Sequence, residues 1–212
     1  MKKKVSIMIA AVSILLGTVL GAGLTSAYLT QTTNALENTF TVGRIKADLV
    51  EYTDGGREWD DGTDGKNMYP GKSQEKRPVM SIEADSVDCY AFLKIEGADA
   101  LDAQGFLITY GLSLGDIMAS TASGFNTADW EKVSDGAGLD GIYHYIGEHA
   151  QDGIVPSSGS VTLLEEPIFD RVTYKITEEG NTEGVIGKVT VTGYAVQAAG
   201  FESPEEAWQV FE

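Results

Sequence analysis

A period of two governs what this sequence can fold into. In Lys188-Val-Thr-Val-Thr-Gly-Tyr-Ala-Val196, Val189 and Val191 alternate with polar Lys188, Thr190 and Thr192, and small Gly193 and Ala195 alternate with bulky Tyr194 and Val196. Val87 to Glu96 does the same: Cys89, Ala91, Leu93 and Ile95 fall on one side, and Tyr90, Phe92, Lys94 and Glu96 on the other. Alternation at 180° per residue is the pattern of a β-strand, whereas a helix would scatter these residues around its circumference. Bulk on both sides of Val87–Glu96 predicts a central strand covered on both faces.

The same signal recurs between glycine and aspartate clusters. Phe40 to Tyr52 sets Ile45, Ala47 and Leu49 against Lys46, Asp48 and Val50, with a phase break near Gly43 that predicts a bulge. Asp54 to Gly71 is turn chemistry throughout, so an exposed loop is expected there. Val79 to Glu83 reads as a short strand. Phe106 to Leu114 suits a strand, followed by one or two helical turns over Asp116 to Ala122. Trp130 to Val133 and Gly141 to Gly147 flank the turn Ser134–Asp140 and read as a hairpin. Ile168 to Thr177 and Val185 to Val196 are two further strands around a turn at Glu178–Gly184. Ser203-Pro-Glu-Glu206 is a capping box with proline at the first helical position, which predicts a short C-terminal helix packed through Trp208. About eight short strands with little helix predict an all-β fold, a two-sheet antiparallel β-sandwich of jelly-roll-like or immunoglobulin-like kind.

The N-terminus has a different character. Lys2, Lys3 and Lys4 precede an uncharged stretch from Val5 to Leu24, and Thr25 and Ala27 put small side chains at −3 and −1 of a cut between Ala27 and Tyr28. That is the plan of a secretory signal peptide. The alternative, an uncleaved anchor, would be the chain's one attachment to a membrane. Residues 1–27 are therefore expected to be removed and residues 28–212 to form a single domain, secreted to the extracellular space or cell surface. The full chain carries 15 basic and 32 acidic residues, a charge of −17. Without its first 27 residues it keeps 12 basic residues and a charge of −20. Such a surface repels nucleic acid and anionic membranes, so no nucleic-acid partner is expected.

Few residues suggest chemistry. Gly111-Leu-Ser-Leu-Gly115 has the spacing of a nucleophile elbow, but that motif needs a strand-to-helix turn in an alternating α/β sheet. His144 and His149 lie five apart with Gly147 between them, so they do not share a helix face and form no zinc-protease motif. They read as a strand histidine and a loop histidine. Asp60, Asp61 and Asp64 among glycines resemble half of a calcium loop, although position twelve counted from Asp60 is Gly71 rather than a bidentate acid. These three are the only metal candidates, and no other cofactor is expected. Cys89, the single cysteine, can form no internal disulfide and is expected buried as a small hydrophobe. No catalytic residue is identified, and the chain is not expected to be an enzyme.

Several segments resemble exported proteins of Gram-positive bacteria that depend on a SipW-type signal peptidase, the TasA and camelysin group. They are Gly21-Ala-Gly-Leu-Thr-Ser-Ala27 running into Tyr28-Leu-Thr, Asn38-Thr-Phe-Thr-Val-Gly43, Met68-Tyr-Pro-Gly71 with Asp88-Cys-Tyr-Ala-Phe-Leu-Lys-Ile95, and Gly193-Tyr-Ala-Val-Gln197 with Pro204–Phe211. They cover about a third of the chain, and Leu101 to Glu166 matches nothing in the family. The resemblance implies a jelly-roll-like protein of the cell surface or biofilm matrix, in which some relatives form fibres by lending an N-terminal strand to the next subunit. Camelysin-type members have been classed as metallopeptidases, but no zinc-protease motif is present here to carry that activity.

Strand donation also has a physical basis in the residues. An open sheet edge exposes N–H and C=O groups that pair with another chain. Tyr28 to Asn38 is uncharged until Glu37 and contains no proline, so it is a donor candidate through Leu29 and Leu36. Self-association is the expected partnership, with a SipW-type peptidase acting during export. The competing expectation is an extracellular binding module for glycan or calcium, with Trp59 and Tyr69 as contacts beside the acidic loop.

Overall fold

The computed structural model describes residues 44–175 and 187–212. The cleavage site at Ala27 and Tyr28, the donor residues Leu29 and Leu36, and the turn at Glu178–Gly184 lie outside the described residues. Within them the fold is all-β, and every ladder between strands is antiparallel. In chain order the elements are β1 (Ala47–Thr53), β2 (Arg57–Glu58), β3 (Ser73–Glu75), β4 (Arg77–Ile82), β5 (Cys89–Glu96), α1 (Ala98–Ala103), β6 (Phe106–Thr109), α2 (Leu114–Ala119), β7 (Trp130–Lys132), β8 (Gly141–Tyr145), β9 (Thr162–Leu164), β10 (Arg171–Tyr174), β11 (Thr190–Gln197) and α3 (Pro204–Trp208). No helix of the described residues is long and apolar enough to cross a membrane.

Hydrogen bonding divides the strands into three sheets, where the sequence predicted two. Their orders are β2-β1-β4-β9, β3-β10-β6 and β11-β5-β8-β7. The extra division arises in one extended run, Ser73 to Ile82. Its first part pairs with β10 and its second with β1 and β9, the change falling at Lys76, whose N–H donates to the carbonyl of Asp170 at 2.9 Å. A strand that changes partners in mid-run has the same hydrophobic pattern as one that does not, so periodicity cannot reveal the switch.

The central position of β5 is as expected. It pairs with β11 over eight residues and with β8 over four. Its Cys89, Ala91, Leu93 and Ile95 enter a core shared by all three sheets, with Met80, Ile82 and Leu164 from the first and Phe106, Ile108 and Tyr174 from the second. Its Tyr90 and Phe92 enter a second cluster on the opposite face, closed by α3. Ser203 caps α3, accepting from the N–H of Glu206 at 3.3 Å, and Pro204 occupies the first turn. Trp208 then stacks edge-on against Phe92 and Tyr194, at 5.5 and 5.0 Å between centroids.

The middle of the chain departs from the sequence reading. The strand beginning at Phe106 stops at Thr109, and α2 starts at Leu114 because the Ser113 hydroxyl accepts from the N–H of Asp116 at 3.2 Å. Helix α1 was not anticipated. Its N-cap is Gly97, in the left-handed region at φ 86°, with no capping side chain of its own. The carboxylate of Asp140, 43 residues away, accepts from the N–H groups of Gly97 at 3.0 Å, Ala98 at 2.7 Å and Asp99 at 3.3 Å. Gly97 is needed there twice over, since a Cβ would also run into the carbonyl oxygen of Lys188.

Candidate functional site: a groove beside an open strand edge

A cavity of about 1040 Å³ opens where the start of β11 passes β1, β10 and the Asp54–Gly71 loop. Leu49, Met68, Leu101, Phe106, Val172, Val189 and Val191 give it an apolar lining, and Phe106 stacks on Tyr174 with centroids 4.6 Å apart. Its size lies at the upper end of ligand pockets, roughly 300–1,000 Å³.

The loop expected to be merely exposed is an organised wall of this groove. Asp64, with its side chain 8% exposed, accepts from Arg57 at 2.7 Å, from Gln74 at 3.2 Å and from the N–H of Asp60 at 2.8 Å. The Arg57 guanidinium is the main cause that holds the Asp64 carboxyl down at about 2. Asp60 accepts from the N–H of Gly62 and the hydroxyl of Thr63, and Asp61 accepts from the indole N–H of Trp59 at 2.9 Å. Each of the three aspartates is thus engaged by protein donors, with Asp64 acting as the loop's anchor. Among the described residues no three His, Cys, Asp or Glu side chains converge as a metal site.

Trp59 and Tyr69 both line the groove, but differently. Lys76, buried at 6% exposure, places its ammonium 4.0 Å from the Trp59 ring centre and pairs with Glu51. Gly65 packs against the ring edge, where an added Cβ would lie 3.2 Å from it. Trp59 is therefore built into the wall, whereas Tyr69 is 64% exposed at the mouth. Sequence reading found these two aromatics; it missed Lys76, because burial of a lysine has no local signature.

Beside the groove lies an unpaired edge. Strand β11 is the outer strand of its sheet, and among the described residues nothing pairs with its far side. The N–H of Ala198 donates to the carbonyl of Asp88, which marks that pair as hydrogen-bonded. By alternation Thr190, Thr192, Tyr194 and Val196 direct their backbone groups toward β5, while Val191, Gly193, Ala195 and Gln197 direct theirs outward. Gly193 is packed below by Leu49 and Met80.

The remaining sequence candidates are dispersed. The Ser113 hydroxyl donates to Asp116 at 2.6 Å, while His144 lies on β8 with its Nε2 2.7 Å from the carbonyl of Gly153, so the elbow serine and the histidine are not hydrogen-bonded to each other. Burial lowers the His144 pKa, and its Nδ1 has no hydrogen-bond partner among the described residues. His149 follows in a loop outside β8. Cys89 is fully buried, and burial pushes its thiol up to about 11, as expected of an unreactive core residue. Comparison of the chain with protein-family models, with curated proteins and with solved structures found no match.

Proposed function

We propose that this chain is an exported structural protein of the cell surface or extracellular matrix that self-associates by β-strand addition. Residues 1–27 act as a signal peptide cut between Ala27 and Tyr28 by a SipW-type peptidase, and the rest forms a two-layer, jelly-roll-like β-sandwich. The observation that carries this reading is the outer edge of β11: eight residues long, unpaired among the described residues, and flanked by an apolar groove. An edge of that length without proline or bulge is a template for another strand, and proteins that remain monomeric usually blunt it. The donor is Tyr28–Asn38, which is uncharged before Glu37 and free of proline. The resemblance of the N-terminal segments to the TasA and camelysin group supports the same reading.

Deleting Tyr28–Asn38 tests it. The expected result, by electron microscopy and sedimentation, is that the chain starting at Tyr28 polymerises while the shortened chain stays a folded monomer. Polymers from the shortened chain would refute the donor assignment, and unfolding would make the segment a strand of its own domain. A second reading, a binding module for a small ligand such as a glycan, rests on the groove's volume and on Tyr69 at its mouth. It predicts a monomer whose Tyr69→Ala variant loses glycan binding.

A further inference from the structure

We infer that the groove between the start of β11 and the Asp54–Gly71 loop binds a free, single-chain anionic amphiphile, an alkyl chain ending in one carboxylate, with the chain on the apolar lining and the head at Lys66 and Lys188. The inference stands apart from strand addition. Its first support is that the polar wall is already spent on itself. The indole N–H of Trp59 donates to Asp61 at 2.9 Å, and the ammonium of Lys76 covers one face of the ring, 4.0 Å from its centre. Gln74 donates to Asp64 at 3.2 Å and accepts from the N–H of Gly65 at 3.0 Å, while Asp64 also holds Arg57. A sugar needs donors and acceptors that are still free to pair, since its hydroxyls lose water on binding. This wall offers few of them. Leu49, Leu101, Phe106, Val172 and Val189 line the same cavity and call instead for an apolar ligand.

Charge selects the head group. The lining holds three cations, Lys66, Lys76 and Lys188, and three carboxylates, Glu51, Asp61 and Asp64. Lys76 pairs with Glu51, and Arg57, from outside the lining, pairs with Asp64. Lys66 and Lys188 have no carboxylate partner among the described residues. Set against Asp61 they leave one positive charge in excess, in a chain whose total is −17. Lys72 adds a further cation at the rim: its ammonium donates to the carbonyl of Lys66 at 3.1 Å and lies 6.0 Å from the ring centre of Tyr69. A locally positive mouth concentrates an anion that the rest of the surface repels. The same acidic surface repels an anionic bilayer, which favours the free amphiphile over a membrane. A small anion without a chain would leave the apolar lining wet, and a neutral chain would leave the lysines unused. One molecule with both parts satisfies the whole groove.

Calorimetry on the chain starting at Tyr28 tests this, because that form lacks the apolar stretch Val5–Leu24, which would take up amphiphiles by itself. The probes are octanoate, decanoate and dodecanoate below their micelle concentrations, decanol as the neutral counterpart, and a neutral disaccharide. The carboxylates should bind saturably, and each methylene added should tighten binding by up to about fourfold. Lys66→Glu combined with Lys188→Glu should weaken decanoate about tenfold and leave decanol unchanged. Met68→Trp, which fills the cavity from the loop side, should weaken both about tenfold or more; if that variant does not fold, the chain-length series and the charge reversal decide alone. Absence of saturable decanoate binding, equal affinity for octanoate and dodecanoate, or a charge reversal that affects decanol as much as decanoate would overturn the proposal. Binding of the disaccharide in place of decanoate, or capture by phosphatidylglycerol vesicles alone, would overturn it as well. Sedimentation reads polymerisation separately on the same chain, so failure of strand addition and failure of amphiphile binding are told apart.

Discussion

Removing one carboxylate, Asp140→Ala, probes how the groove wall is held. Asp140 accepts from three successive N–H groups at the start of α1, a helix whose own cap is a glycine. Asp99 returns the favour, accepting from the N–H groups of Leu139 at 2.6 Å and Asp140 at 3.2 Å. Loss of a capping side chain costs about 0.5–2 kcal/mol. Asp140 is half-buried, so water replaces part of the lost bonding, and a cost of about 2 kcal/mol is expected rather than the sum of three charged hydrogen bonds. For a domain of this size that lowers Tm by about 4–8 °C. Asp140→Asn keeps an oxygen for Ala98 and Asp99 and surrenders the bond from Gly97, so about 1 kcal/mol is expected. Because the two acids hold each other's backbone, Asp99→Ala combined with Asp140→Ala should cost less than the two single changes together, by roughly 0.5 kcal/mol or more. Urea titration and thermal melting at neutral pH supply the numbers. A Tm for Asp140→Ala within about 1 °C of the parent, or strict additivity in the double variant, would refute the clasp. The groove is tied to this result, because α1 carries Leu101 into its lining.

Other outcomes follow from single sites. Cys89→Ser should destabilise by roughly 1–3 kcal/mol, placing a hydroxyl in a fully buried apolar site, and native Cys89 should resist a bulky maleimide at pH 8; rapid labelling would contradict its burial. Trp208→Ala should cost about 3 kcal/mol by urea titration, since it strips the aromatic contacts that seat α3 on Phe92 and Tyr194. Burial lowers the His144 pKa in the folded chain, so its contribution to stability is full above the unfolded value of about 6.5 and declines as pH falls from there toward the folded pKa. His144→Gln should therefore flatten the dependence of Tm on pH below about 6.5 relative to the parent, and an unchanged slope would show that other groups set it.

Legibility in the sequence followed the range of the interaction. Strand β5 and its two faces, the hairpin of β7 and β8, and the capped helix α3 all rest on alternation or on residues within one turn of each other. Strands β2, β3 and β9 have two or three residues each, too few to show a period, and they exist because longer neighbours offer them an edge. Helix α1 depends on an aspartate 42 residues from Ala98, and the switch at Lys76 depends on which strand lies alongside. The site divides in the same way. Aromatic Trp59 and Tyr69 stood out beside an acidic loop, whereas Lys76 under Trp59, Asp64 as an anchor, and the edge of β11, unpaired among the described residues, required knowing who faces whom.

Net charge decides how strand addition should respond to salt. Copies starting at Tyr28, the proposed exported form, would carry a charge of −20 and repel at long range, and that repulsion is cut when the screening length falls from about 30 Å at 0.01 M to about 8 Å at 0.15 M. Under the strand-addition proposal, assembly draws on backbone pairing at about 0.5–1.5 kcal/mol per hydrogen bond and on Leu29 and Leu36 at about 1.5–3 kcal/mol each when fully enclosed, reduced by the cost of ordering the segment. Salt should therefore promote polymerisation of the chain starting at Tyr28, with most of the gain reached by about 0.15 M, because the screening length falls only a little further, to about 3 Å, at 1 M. Light scattering across a salt series decides it: assembly that weakens steadily as salt is added would mean that attraction between charges, and not the apolar edge, holds the copies together.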